Sequence, residues 1–323
     1  MSPVWSGWLP PESLAVLAAA TWATASLFSA AASARMGAFA FTRWRMVFAA
    51  VLLWGMALAT GSWRSLAEGG LGAGPGVAGE WAWGAVAWDA VGLLVLSGVI
   101  GIFVGDTALF ACMNRLGPRR SGLLFATHSL FTVVLAALFL DESLKGWALP
   151  GGVLLVGGVM GAIAFGKRGG VAHQLESTQG QLAVGVALGV LSALGQSVGT
   201  LVLKPAMAAG LDPVAASAVR MTAGFACHAL LWCAGLPMAR VQSPLQWRDL
   251  AYTFASATLA MAVGMTLILK ALQHGSAGLV GMLSSVSPVL LLPLLWWRTG
   301  QRPAWGAWVG AAMAVLGCAL LLG

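Results

Sequence analysis

Apolar runs of about 20 residues follow one another down the whole chain. Each is long enough to cross the roughly 30 Å hydrocarbon core of a bilayer as a helix. Ten such runs are read, at about 14–34, 39–60, 90–113, 121–140, 147–166, 182–203, 213–236, 250–272, 276–297 and 304–322. They are rich in Gly, Ala and Leu and do not alternate polar with apolar residues, which argues against a transmembrane barrel. Composition agrees: 59% of the 323 residues are hydrophobic, 8% are charged, and the mean hydropathy is +0.87. A soluble domain carries about 25% charged residues. Trp44, Trp63, Trp81, Trp88, Trp147, Trp247, Trp296, Trp297 and Trp305 stand near run ends, where indole rings settle at the lipid–water boundary. The opening "MSPVWSGWLP" holds no Lys or Arg, so the basic region of a cleavable leader is not expected.

The net charge of +7 does not indicate nucleic acid, because the 17 basic residues are scattered over nearly every join between runs and form no basic face. Cys112, Cys227, Cys233 and Cys318 lie within or at the ends of runs at no metal-ligand spacing. They read as small packing residues. No metal or cofactor is expected.

The chain repeats itself. "RLGPRRSGLLFATHSLFTVVLAALFLDESLKGW" (115–147) aligns with "HGSAGLVGMLSSVSPVLLLPLLWWRTGQRPAW" (274–305), with Gly117 on Gly275 and Trp147 on Trp305 at an offset of 158. The preceding run joins with a one-residue slip, "VGDTALF" (104–110) over "VGMTLIL" (263–269), and "WRMVFAA" (44–50) matches "VRMTAGF" (219–225). Two five-run halves, 1–170 and 171–323, are therefore expected. An odd number of spans per repeat forces the second copy to enter the membrane from the opposite face, as in many secondary transporters. Charge supports this inversion. With Arg45 and Arg220 set aside as lying inside runs, joins 1–2, 3–4, 5–6, 7–8 and 9–10 hold 11 Lys and Arg, against 4 on the other side. The positive-inside rule then places both termini outside.

The five-run unit, the "RLGPRRSGLLFA" entry to run four, its "LFLDESL" exit and the "SPVL" of run nine resemble the EamA family of the drug/metabolite transporter superfamily. The resemblance covers essentially the whole chain. It implies an all-α polytopic membrane protein with ten transmembrane helices in two inverted five-helix repeats. It further implies a central cavity lined by spans 1, 3, 4, 6, 8 and 9, and export or exchange of a small-molecule substrate across a bacterial cytoplasmic membrane, by a monomer or homodimer. Many relatives are taken to have cytoplasmic termini, against the charge bias. Two positions depart from the family pattern: Ser129 or Leu130 stands where proline is common, and "RTGQRP" replaces the acidic exit in the second half.

Polar residues inside the runs are candidates for the substrate or ion pathway, because an ionisable group in lipid is costly and faces protein or a water-filled cavity. Asp106 is foremost. It is either a structural acid, neutral or paired with a nearby Arg, or a cavity acid that binds a cation or carries a proton. Its repeat equivalent is Met265, which favours the second reading. Arg45 and Arg220 are equivalents of each other. They either snorkel to headgroups and helix-end carbonyls, or partner Asp106 or an anionic substrate. His128 is a packing residue or a proton shuttle. Gln196, Ser284 and Ser285 bond substrate or bond across helices. Trp22 faces the cavity or packs.

Two motif likenesses fail. "GAIAFGKR" (161–168) lacks the Ser or Thr that follows the P-loop Lys and closes an apolar run. "FVGD" (103–106) would need a second deep carboxylate for aspartyl-protease chemistry, but Asp89, Asp141, Glu142, Asp212 and Asp249 all lie at run ends. The glycine-rich "GGLGAGPGVAGE" (69–80) reads as a connector. A gradient-driven transporter is the expectation. An integral-membrane enzyme and a non-transporting receptor or scaffold are the alternatives.

Overall fold

The computed structural model describes residues 9–67, 90–142, 146–165, 181–299 and 304–322. The 69–80 connector, Trp81, Trp88, Asp89, Lys145 and the basic residues Lys167, Arg168 and Arg302 fall outside them. Described residues form helices and no strand. We label them α1 (Pro11–Met36), α2 (Ala38–Thr60), α3 (Ala90–Gly117), α4 (Arg120–Phe139), α5 (Ala148–Ala164), α6 (Leu182–Ala208), α7 (Pro213–Cys233), α8 (Trp247–His274), α9 (Ala277–Leu294) and α10 (Trp305–Leu322). Eight are long and apolar enough to cross a membrane, and the apolar cores of α5 and α10, Leu149–Ala162 and Trp305–Gly317, are shorter.

Local sequence sets the helix ends. Pro11 and Pro213 open α1 and α7 at the first helical position, where the missing N–H costs nothing. Asp212 caps α7 by accepting from the Val214 and Ala215 amides at 2.9 and 3.1 Å. Gln246 and Asp249 form a capping box on α8. Gly37 (φ 83°) and Gly117 (φ 82°) turn the chain between α1 and α2 and between α3 and α4 with a backbone that other residues rarely adopt. Large apolar side chains, among them Val51, Leu58, Val134, Leu138, Val153, Leu230 and Val315, point outward, as suits a lipid-facing surface.

Helix pairing follows one pattern. α1 packs on α8 and α9, α6 packs on α3 and α4, α2 packs on α7, and α5 packs on α10. Small residues let the α5–α10 backbones touch. A Cβ added at Gly158 would clash with the backbone of Gly310 and Ala314, and one at Gly317 with that of Leu155. That is the small-residue packing of helices that gain nothing by leaving lipid.

Two irregularities recur at the spacing of the sequence repeat. α3 runs as a π-helix over Gly98–Asp106, and α8 does so over Ala257–Gly264. α4 breaks at Thr127, between Ala126 and His128, and α9 breaks at Ser285 and Val286, between Ser284 and Ser287.

Candidate functional site

The π-helical stretch of α3 ends on Asp106, and its glycines decide how closely other helices approach. A Cβ at Gly199 would stand 2.9 Å from the Gly101 Cα, and one at Gly195 3.0 Å from the Gly105 Cα. α3 and α6 therefore meet backbone to backbone. Ser97 locks the seam by donating to the Gly199 carbonyl at 2.6 Å. α7 comes equally close: a Cβ at Gly98 would lie 2.6 Å from the Arg220 carbonyl oxygen.

This packing gathers charge in the interior. Arg45 on α2 donates through Nη1 to Asp106 Oδ2 at 2.9 Å, and the two residues are 5% and 6% exposed. The Arg45 guanidinium carbon also lies 5.1 Å from the centre of the Phe110 ring and 6.0 Å from that of Phe41, so aromatic faces shield the cation. Of the two readings of Arg45, the geometry realises the partnership with Asp106. Arg220 is more deeply buried still, 1% exposed. Its Nη2 would be 3.3 Å from a Cβ at Gly101, which puts its head at the α3–α6–α7 junction. Asp106 interacts electrostatically with both guanidiniums. The Nε and Nη1 groups of Arg220 have no hydrogen-bond partner among the described residues, nor does Nε of Arg45.

Gln196 lies alongside, its backbone nitrogen 3.5 Å from where a Gly105 Cβ would be. The other candidates stand apart from this cluster. Trp22 lies in the α1–α8 seam, where Nε1 donates at 3.0 Å to the carbonyl of Ala260 in the second π-helical stretch. His128 is buried and begins the second part of α4; its carbonyl accepts from Thr132 and Ser197. Ser284 and Ser285 donate to carbonyls of their own helix, Gly281 and Met282.

Two features were missed by sequence reasoning. His228 on α7 is buried, with Nε2 3.1 Å from Thr107 Oγ1 and its ring edge-on to Phe103 at 4.9 Å. The rule that singled out His128, an ionisable residue inside an apolar run, applies equally to it. Lys204, one residue past the sixth apolar run, donates to the Leu272 carbonyl at 2.8 Å, while Glu142 accepts from the Ala277 and Gly278 amides. Together they tie α6 and α4 to the turn between α8 and α9.

No group of three or more His, Cys, Asp and Glu fit to hold a metal occurs among the described residues. What the charge cluster can do is hold an ion or a charged group inside a low-dielectric helix bundle.

These helices, with their apolar outward faces, make the chain an integral, multi-pass membrane protein. It belongs to the EamA-like transporter family, which matches residues 9–164 and again residues 183–323. No curated protein matches the chain. One solved structure ("Crystal structure of protein") is 19% identical and superposes with a TM-score of 0.70 over 96% of this chain and 95% of its own. The two share a fold.

Proposed function

We propose that this protein is a gradient-driven secondary transporter, an exporter or exchanger of small metabolites, working by alternating access between two inverted five-helix repeats, 1–170 and 171–323. The carrying observation is the recurrence of the same backbone irregularities in both halves: a π-helical stretch in α3 and α8 and a break in α4 and α9. π-Helical insertions and interrupted spans are where membrane transporters bend and bind. The pairing of α1 with α8 and α9, and of α6 with α3 and α4, is what a pseudo-two-fold relation between the halves requires.

In this reading the ten apolar segments all span the membrane, and the Arg45–Asp106 pair is the ionic element of the pathway. Asp106 exchanges Arg45 for a substrate cation or a proton as the repeats rock. The basic joins face the cytoplasm of a bacterial inner membrane, which puts both termini outside.

Purified protein in ATP-free liposomes is expected to move substrate, found from a metabolite panel, down the substrate's own gradient. A strict requirement for ATP in that assay contradicts the reading.

A further inference from the structure

Two guanidiniums and one carboxylate occupy the α2–α3–α7 interior, and the sum is one uncompensated positive charge. Arg45 donates to Asp106 and lies by the Phe41 and Phe110 rings, with only its Nε left over. Arg220 feels Asp106 only through space. It is 1% exposed, and two of its N–H positions, Nε and Nη1, meet no acceptor among the described residues. An unmatched buried charge is among the most costly arrangements a fold can hold, and each orphaned donor adds its own desolvation penalty. A purely structural basic residue would be expected to find carbonyls, as Lys204 does at Leu272. The backbone around Arg220 is also cut away: Gly98 and Gly101 of α3 leave its carbonyl and its guanidinium free of side-chain bulk, so a Cβ at Gly101 would press on Nη2 at 3.3 Å.

We infer that Arg220 is the anchor for a monoanionic carboxylate on the transported molecule, at the junction of α3, α6 and α7. Resting on the transporter reading above, this narrows the substrate class. A planar carboxylate takes two parallel N–H bonds from one edge of a guanidinium; on Arg220 that edge pairs the orphaned Nε with Nη2, the nitrogen beside Gly101. One negative charge brings the cluster to neutrality, whereas a phosphate dianion would overshoot it. Arg45 and Arg220 are repeat equivalents with divided labour: the first holds the internal acid, the second receives the external one.

The test uses the full-length protein in phosphatidylcholine nanodiscs, with a size ladder of monocarboxylates from acetate to indole-acetate and the matching uncharged amides, followed by saturable binding. At least one carboxylate is expected to bind, with its amide at least ten-fold weaker. Arg220→Gln is expected to abolish that preference and Arg220→Lys to keep only part of it. The wild-type comparison of acid with amide stands even if the variants fold poorly. Equal affinity for acid and amide, no saturable binding of any carboxylate, or an unchanged preference in a folded Arg220→Gln protein each overturns the site. Carboxylate binding without flux in liposomes leaves the site standing and sinks the transporter reading. Flux of an uncharged substrate that survives Arg220→Gln does the reverse.

Discussion

Helices α3 and α8 share an unusual backbone, and each leaves its π-helical stretch on a very different residue. In α3 the stretch Gly98–Asp106 ends on an acid paired with Arg45. In α8 the stretch Ala257–Gly264 is followed by Met265, 2% exposed in an apolar core. Their seams differ as well. α3 lies on α6 glycine against glycine, while Gly264 of α8 sits under the side chains of Thr21 and Trp22. A feature present in both halves belongs to the machinery of the fold. A feature present in one belongs to what that machinery carries. By this division the π-helical stretches belong to the fold, and Asp106, whose equivalent is Met265, is the residue we propose to serve chemistry.

The sharpest way to break the comparison is to remove the acid. Asp106→Leu leaves Arg45 buried without its partner, and loss of one member of a buried pair costs about 3–5 kcal/mol. Met265→Leu conserves volume and is expected to cost less than about 1.5 kcal/mol. Thermal unfolding in detergent reads both; similar losses would erase the asymmetry. To separate stability from function, Asp106→Asn combined with Arg45→Gln keeps a neutral hydrogen-bonding pair. That double variant is expected to unfold near wild type and lose most of its flux. Wild-type flux would reduce the pair to scaffolding.

The seams predict a smaller effect. Gly98→Ala drives a methyl onto the Arg220 carbonyl oxygen, and overpacking of this kind costs about 1–3 kcal/mol. Gly264→Ala meets side chains, which can shift, and is expected to cost less; the reverse order would contradict the backbone-on-backbone account. Smallest of all is the Arg35–Asp249 pair at 3.1 Å, where Arg35 is 43% exposed by side chain. Arg35→Gln is expected to change stability by about 1 kcal/mol or less.

Much of this was legible in the sequence. Run length and composition mark the helices, and the observed ends fall within a few residues of the expected ones, Pro11–Met36 for 14–34 and Leu182–Ala208 for 182–203. Hydrophobic length depends on the bilayer alone, so it survives any tertiary arrangement. Asp106 was visible as a lone acid in an apolar run, and Arg45 and Arg220 as repeat equivalents. Their gathering was only one of two alternatives, because it depends on how closely α3 approaches α6 and α7. That approach rests on Gly98, Gly101, Gly105, Gly195 and Gly199, which look like any other glycines in a sequence that holds 43. The π-helical stretches left no residue pattern at all. The role of Lys204 was not legible, because its long side chain reaches from a helix end to carbonyls of another helix, a contact set by packing and not by spacing.

The central claim is that the halves are one unit facing opposite ways, and it can be tested without a substrate. The starts of α1 and α6 are equivalent points, so inversion puts them on opposite faces of the membrane. With Cys112, Cys227, Cys233 and Cys318 replaced, single cysteines at Leu9 and Gln181 can be exposed to a membrane-impermeant maleimide in intact cells and in inverted vesicles. The account predicts that Leu9→Cys is labelled in intact cells and Gln181→Cys only in inverted vesicles. Labelling of both from the same face would contradict it.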